Sequence, residues 1–413
     1  MLWQPSLPDS YTRMTPEALA EAITARRREL GDALVILGHH YQTDGVIRHA
    51  DHTGDSLKLS QVAAGLAASR PAGRPLRWIV FCGVHFMAET ADMLTPDGVS
   101  VILPDLSAGC SMADMAPYDD TVAAWEAIHE SLRGRGWRGR VVPITYVNSS
   151  AAIKAFVGEH GGACCTSSNA REVFRWARGE AGAEGKILFL PDQHLGRNTA
   201  AKEGIDVATG TCVYDPKLAR KGEALGGATD EAVHRSEVIL WAGHCSVHKL
   251  FRPEHCAEVR DRDAREGTRT TILVHPECCK EVVDLADLDG STEFIIRTIR
   301  GAEPGTRWAV GTETHLVSRL AREAAGRGVE VRILSSCQCL CTTMFRIDEP
   351  HLLWALDNLA GRFDGRGGGR EGVSRVVNEV RVTRAARARA LMALERMLSC
   401  TGATGARATA LVD

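Results

Sequence analysis

Short apolar runs punctuate the chain at near-regular intervals. They include Ala33-Leu34-Val35-Ile36-Leu37, Ile79-Val80-Phe81, Val101-Ile102-Leu103, Val141-Val142-Pro143-Ile144, Ile187-Leu188-Phe189-Leu190, Val238-Ile239-Leu240-Trp241, Ile272-Leu273-Val274, Trp308-Ala309-Val310 and Val331-Arg332-Ile333-Leu334. Each has strand length and reads as a near-continuous hydrophobic run, so each predicts a strand buried on both faces. Helical signals lie between them. Thr15-Pro16-Glu17 predicts a helix with Thr as N-cap and Pro at its first position, running to about Leu30 and stopping at Gly31. Further helices are predicted from Asp55-Ser56, over 86–94, over about 120–132, over 151–157, from Thr166-Ser167 to about Arg178, from Leu195, from Ser291-Thr292 to about Ile299, over about 315–325 and over 385–398. Cys164-Cys165 reads as a short strand or turn, and 377–380 as a short strand.

Strand and helix therefore alternate, which argues for parallel sheets covered on both faces. The pattern restarts twice, giving three α/β repeats. The expected division is an N-terminal arm and helix (1–30), repeats at 31–135, 136–255 and 256–360, a Gly/Arg-rich linker (361–376) and a C-terminal strand, helix and tail (377–413). Residues 1–15 are expected to form a loose arm, and the Gly/Ala/Thr-rich tail from Cys400 to be disordered.

Three of the strands are look-alikes. Val101-Ile102-Leu103 leads to Cys110, Val238-Ile239-Leu240-Trp241 leads to Cys245, and Val331-Arg332-Ile333-Leu334 leads to Cys337, Cys339 and Cys341. In open parallel sheets, ligands sit beyond the carboxyl ends of the strands. Three thiolates so placed leave one position of a tetrahedron empty. Zinc with a water and a four-iron cluster with one open iron both fit that donor set. The spacing is far longer than in local cysteine motifs, so spacing alone does not choose between them. Cys82, Cys212, Cys256 and Cys400 read as small buried hydrophobes, as do Cys164, Cys165 and Cys279; Cys278 reads equally as packing or site lining.

Polar clusters also fall at strand ends: His39-His40-Tyr41, Tyr146-Val147-Asn148 and His275-Pro276-Glu277. A carboxylate beside an imidazole suits proton abstraction from carbon. The plain alternatives are a surface turn, strand-end polarity and a polar loop. Ser56, Thr166, Ser167, Ser291 and Thr292 are expected at helix N-termini, as caps or as groups that hold phosphate or carboxylate.

Composition narrows the partners. The chain has 413 residues, 44% of them apolar and 24% charged, with net charge −3, and a pI near 6.6. That is an ordinary globular balance, with nothing pointing to nucleic acid or an anionic membrane. No apolar run approaches the ~18 residues of a membrane span. The first residues lack the basic-then-apolar order of a signal peptide, so a cytoplasmic location is expected. In that setting the 13 cysteines suit metal binding, catalysis or burial more than disulfides.

Several motifs then carry a resemblance. Gly38-His39-His40-Tyr41-Gln42, Gly54-Asp55-Ser56-Leu57, Gly83-Val84-His85-Phe86-Met87, Ala108-Gly109-Cys110-Ser111-Met112, Tyr146-Val147-Asn148, Cys165-Thr166-Ser167-Ser168-Asn169, Pro191-Asp192, His275-Pro276-Glu277-Cys278 and Gly290-Ser291-Thr292 follow one another over roughly residues 30–360. In content and order they resemble the signatures of the quinolinate synthase family. The resemblance implies three pseudo-symmetric three-layer α/β domains with parallel sheets around a central [4Fe–4S] cluster, one per chain. It implies condensation of iminosuccinate, supplied by L-aspartate oxidase, with dihydroxyacetone phosphate to give quinolinate, phosphate and water for NAD synthesis. Carried over by motif, the cluster ligands are Cys110, Cys245 and Cys341, with Cys339 as the alternative third. Substrate contacts are His39, Ser56, Tyr146, Val147, Asn148, Ser167, His275, Pro276, Glu277 and Thr292. Glu277, His275, Tyr41 and Tyr146 would move protons. An iron–sulfur sensor without turnover and a zinc hydrolase are the competing classes.

Overall fold

The structure is a computed structural model that describes residue 4 and residues 6–69, 75–336, 339–362 and 372–400. Cys337, most of the Gly/Arg-rich linker and the tail after Cys400 lie outside the described residues.

One compact unit comprises Met1–Cys110 and Leu340–Thr383. Its strands are β1 (Leu34–His39), β2 (His52–Gly54), β3 (Trp78–Cys82) and β4 (Ser100–Ile102). They pair in parallel in the order β2-β1-β3-β4. Every residue of β1 and β3 is buried, as their continuous apolar runs require. The first long helix, Pro16–Leu30, starts where Thr15 Oγ1 accepts from Ala18 N at 3.3 Å and ends at Gly31, whose φ of +52° suits glycine. Two features depart from expectation. The N-terminal segment is not a loose arm throughout. Asp9–Thr12 forms one helical turn, and Tyr11 is buried and donates to Asp357 Oδ2 at 3.0 Å in helix Glu349–Leu359. The sheet is also not purely parallel: the short strand Glu379–Val380 pairs antiparallel on the edge of β4. It caps an edge that would otherwise present open backbone groups.

The second unit comprises Ser111–Cys339 and Arg384–Asp413. It holds two parallel sheets. The first contains β5 (Val141–Tyr146), β6 (Ala163–Cys165), β7 (Lys186–Leu190), β8 (Thr211–Tyr214) and β9 (Val238–Trp241), in the order β6-β5-β7-β9-β8. The other contains β10 (Thr270–Val274), β11 (Leu288–Asp289), β12 (Arg307–Gly311) and β13 (Glu330–Ile333), in the order β11-β10-β12-β13. The short strands β2 and β11 were not expected, and neither was β8. It is an edge strand whose residues alternate between part-exposed and buried, so it lacks a continuous apolar run.

The three sheets share one order: second strand, first, third, then the strand preceding a cysteine loop. Strand β8 and Glu379–Val380 are additions at outer edges. The C-terminal helix Arg384–Cys400 packs on helix Ala151–Glu159 at backbone distance. A Cβ at Gly158 would lie 1.9 Å from the Arg389 carbonyl oxygen. Arg396 Nη1 locks the crossing with bonds to the Gly158 and Gly162 carbonyls at 2.9 and 2.7 Å.

Candidate active site

In the second unit the apolar strands end in a dense set of polar side chains. Strand β5 ends at Tyr146, and β7 runs into Asp192. Beyond β9 come Cys245 and the short 3-10 turn His248–Leu250; β10 delivers His275-Pro276-Glu277, and β12 delivers Thr312. A parallel bridge between Asp192 and Gly243 ties the loops after β7 and β9 together. A Cβ at Gly243 would sit 2.1 Å from the Pro191 carbonyl oxygen, so this approach requires glycine.

Glu277 is the hub. It is 3% exposed and accepts a hydrogen bond from His248 Nδ1 at 2.8 Å. Tyr146 also hydrogen-bonds to it. His248 is 1% exposed, and its Nε2 accepts from Thr312 Oγ1 at 3.1 Å. Its ring stacks on His275, with centroids 4.4 Å apart and planes 16° apart. The Glu277 N–H donates to His275 Nδ1 at 3.3 Å, so a neutral His275 carries its proton on Nε2.

The electrostatics follow from burial and these contacts. Burial pushes the Glu277 carboxyl up, but the close His248 and His275 rings and the hydrogen bonds from His248 and Tyr146 outweigh it. The group is held well below the usual carboxylate range. Burial, helped by His248 and opposed by Glu277, lowers His275 to about 3, leaving a neutral imidazole. Asp192 goes the other way: complete burial and the nearby Glu277 charge raise it well above an ordinary aspartate. Its Oδ1 accepts from His194 N at 2.8 Å, while Oδ2 has no hydrogen-bond partner among the described residues. A protonated acid thus sits beside an ionised one.

A pH effect on stability follows. Above pH 3.8, the ordinary value, the unfolded Asp192 carboxyl loses its proton while the folded one keeps it. The Asp192 contribution to stability therefore falls as pH rises through that window, with a slope on the order of 1.4 kcal/mol per pH unit for one proton. Asp192→Asn does not titrate and keeps an acceptor for His194 N. In urea unfolding at pH 5 and 7 the variant should gain on wild type at the higher pH; parallel behaviour would contradict the buried neutral acid.

The other residues expected at the site divide between the units. Tyr146, His275 and Glu277 are brought together in the second. There Val147 is buried, its N–H donating to the Cys165 carbonyl at 2.8 Å. Asn148 is part-exposed in the bend after β5, and Pro276 is buried between His275 and Glu277. Thr292 is buried as the first residue of helix Thr292–Arg300, with Ser291 as the cap accepting from Phe294 N at 3.3 Å. In the first unit His39 is buried at the end of β1. The edge of the Tyr41 ring meets His39 at 4.8 Å, and the Tyr41 N–H donates to His39 Nδ1 at 3.2 Å. Ser56 is the first residue of helix Ser56–Ser69, where Asp55 Oδ1 accepts from Lys58 N at 2.9 Å.

Capping by Thr166 and Ser167 is not observed. Helix Ala170–Ala181 starts beyond them. The Thr166 N–H and hydroxyl instead donate to Asn169 Oδ1 at 2.7 and 3.0 Å, and Ser167 lies in the turn so formed. Local side chain–backbone bonds delay the helix.

Cys110, Cys245 and Cys341 are each part-exposed in a loop that follows a fourth sheet strand. In the first unit, one network ties the loops bearing Cys110 and Cys341. Ser107 donates to Asp105 Oδ1 through its N–H (2.7 Å) and its hydroxyl (2.5 Å), and Arg346 Nε donates to Ser107 Oγ at 2.6 Å. Cys339 is fully buried, with its sulfur 3.2 Å from Ser335 Oγ. Cys82, Cys164, Cys165 and Cys278 are also fully buried; burial pushes the Cys82 and Cys164 thiols up to about 12, so they are inert. In the second unit, ligand atoms of Cys245, His248 and Glu277 lie within 4.8 Å of one another. Both nitrogens of His248 are engaged, one by Glu277 and one by Thr312. The set is therefore a thiol beside a hydrogen-bonded Glu–His pair, not a closed three-ligand site.

The chemistry of these three cysteines suits a metal or iron–sulfur group. The family model of the quinolinate synthetase A protein matches residues 21–399. The chain belongs to the quinolinate synthase family. Quinolinate synthase of Rhodopirellula baltica is 48% identical over 401 residues, covering 94% of this chain and 92% of that protein. Those of Acidobacterium capsulatum and Bacillus velezensis are each 49% identical over 395 residues, covering 95% and 96% of this chain and 96% of each relative. The chain is thus an enzyme of the quinolinate synthase family. Among its described residues no helix is long and apolar enough to cross a membrane.

His248, Asp192 and Thr312 were not foreseen as site residues. Asp192 stood within a matched motif without a role. His248 lies three positions past Cys245, the one local signal that could have found it; its partner Glu277 is 29 positions away.

Proposed function

We propose that this quinolinate synthase condenses iminosuccinate with dihydroxyacetone phosphate, giving quinolinate, phosphate and water in NAD biosynthesis. The observation that carries the chemistry is Glu277, buried as an anion between His248 and Tyr146 and beside a neutral His275. Forming the pyridine ring requires proton removal from carbon, imine formation and loss of water. A carboxylate held so low is a weak base while its hydrogen bonds are intact. Loosening the His248 bond restores its basicity: Tyr146 then yields its proton to Glu277 as it takes one from substrate, and Glu277 fixes the phenol for that exchange. His275 donates from Nε2 to a developing oxyanion, a role that its neutral state permits. Tyr41, edge-on to His39, is the corresponding proton carrier of the first unit. Ser56, Ser167, Thr292, Asn148 and the backbone of Val147 and Pro276 hold the substrate carboxylates and the phosphate until it leaves. Hydroxyls and N–H groups at helix starts favour such anions.

Cys110, Cys245 and Cys341 would hold a [4Fe–4S] cluster. Cys341 is preferred to Cys339, whose sulfur is packed against Ser335. When bound, such a cluster keeps one iron without a protein ligand, which supplies Lewis-acid polarisation of a substrate oxygen. A cytoplasmic enzyme supplied by L-aspartate oxidase fits this chemistry, because the imine substrate is short-lived in water.

The three thiolates would also suit one second reading, a mononuclear zinc site. Anaerobic purification separates the two. A brown protein whose visible absorption bleaches in air supports the cluster; a colourless, zinc-loaded protein supports the alternative. The function itself is tested by product balance: phosphate and quinolinate should form in equal amounts, only when both substrates are present.

A further inference from the structure

Helix Gln193–Lys202 starts at Asp192 and lies against β7 and β9. It sits close to the sheet because Gly196 faces it. A Cβ there would come within 2.7 Å of the Phe189 and Leu240 side chains. The helix position is thus fixed at both its cap and its contact face. Asn198 projects from it and is 2% exposed. One amide nitrogen, Nδ2, donates to the carbonyl of Pro276 and to the carbonyl of Cys278, each at 2.9 Å. These are the backbone carbonyls of the residues before and after Glu277. The orientation of the amide is fixed by chemistry, since a flipped amide would set its oxygen against two carbonyl oxygens. Asn198 Oδ1 has no hydrogen-bond partner among the described residues. Both donors of the side chain are spent on this one turn.

We propose that Asn198 is a positioning residue that sets the Glu277 carboxylate by gripping the backbone on both sides of it. The inference rests on Glu277 acting in proton transfer. Asn198 acts through the backbone and touches no reacting atom. Without the grip, the turn after β10 rotates and the carboxylate leaves its line with Tyr146.

The test uses anaerobically prepared holoenzyme. Asn198→Ala should lower kcat about 10²-fold, the scale for an ångström-level displacement, with KM changed less than about threefold. Iron content and folded fraction at the assay temperature should match wild type. Asn198→Asp supplies a signature that simple loss of packing would not. At neutral pH the introduced carboxylate repels both carbonyls; once protonated it restores one donor. Its kcat relative to wild type should therefore rise as pH is lowered. In a Glu277→Asp background, which retains a base, Asn198→Ala should cost far less than it does in wild type, because the two act as one unit.

Unchanged kcat in folded, iron-loaded Asn198→Ala overturns the proposal. So do losses that multiply in the double variant, or a kcat that falls only with the folded fraction. If Glu277→Gln keeps full turnover, the reading of Glu277 falls and this inference with it. If Glu277→Gln is inactive and Asn198→Ala is not slowed, only this inference falls.

Discussion

Glu277→Gln should lower turnover by about 10³-fold, within the range for loss of a positioned acid–base group, while iron content and visible absorption stay at wild-type levels. The amide matches the carboxylate in shape, and its oxygen can still accept from His248 Nδ1 or from Tyr146. It cannot take up a proton at neutral pH. Two hydrogen bonds and the flanking imidazole rings already keep this group ionised. A structure that keeps one group ionised against the cost of burying it marks that anion out for chemistry. Removing the charge should also remove the repulsion that helps keep the Asp192 proton in place. Retained activity in an iron-replete Glu277→Gln enzyme would end the assignment.

Cys245→Ser should abolish turnover and bleach the protein. The side chain is part-exposed at the end of β9, and no other described cysteine occupies that loop. A hydroxyl is a poor ligand for iron–sulfur chemistry, because soft thiolate donors hold such clusters. Loss of a Lewis acid removes several kcal/mol of charge stabilisation, and each 1.36 kcal/mol is about tenfold in rate, so activity should drop by about 10³-fold or more. The third position can be settled in the same assay. Cys341→Ser should behave like Cys245→Ser, while Cys339→Ser should keep the brown colour, since its sulfur is packed against Ser335 in the core. The reverse result would move the third ligand to Cys339.

The central strands β1, β3, β5, β7 and β9 were legible because each is buried on both faces and so appears as an unbroken apolar run, as does most of β10. Val35 to Leu37, Ile187 to Leu190 and Ile272 to Val274 need no tertiary information to be seen. The edge strand β8 was missed for the converse reason, as its alternating exposure leaves no such run. Glu379–Val380 was visible as a strand, but its direction depends on which edge it meets. Thr15, Gly31 and Ser291 act locally and were read correctly. Thr166 failed because its hydroxyl is engaged by Asn169, a competition that residue type alone does not reveal.

Within the site, Glu277 and His275 were visible as neighbours in sequence. His248 and Asn198 were not, because their contacts to the Glu277 loop span 29 and about 80 positions and exist only once the sheets have formed. Asp192 was in view as a residue but not as an acid. Its altered proton affinity comes from complete burial next to another carboxylate, and neither is written in its own segment.

The most direct measurement is quinolinate formation by purified, anaerobic holoenzyme given iminosuccinate and dihydroxyacetone phosphate. Quinolinate should accumulate over many turnovers, require both substrates, and cease when air bleaches the protein. A brown, iron-loaded enzyme that forms no quinolinate from these two substrates, or a colourless enzyme that forms it at an undiminished rate, would contradict the central claim.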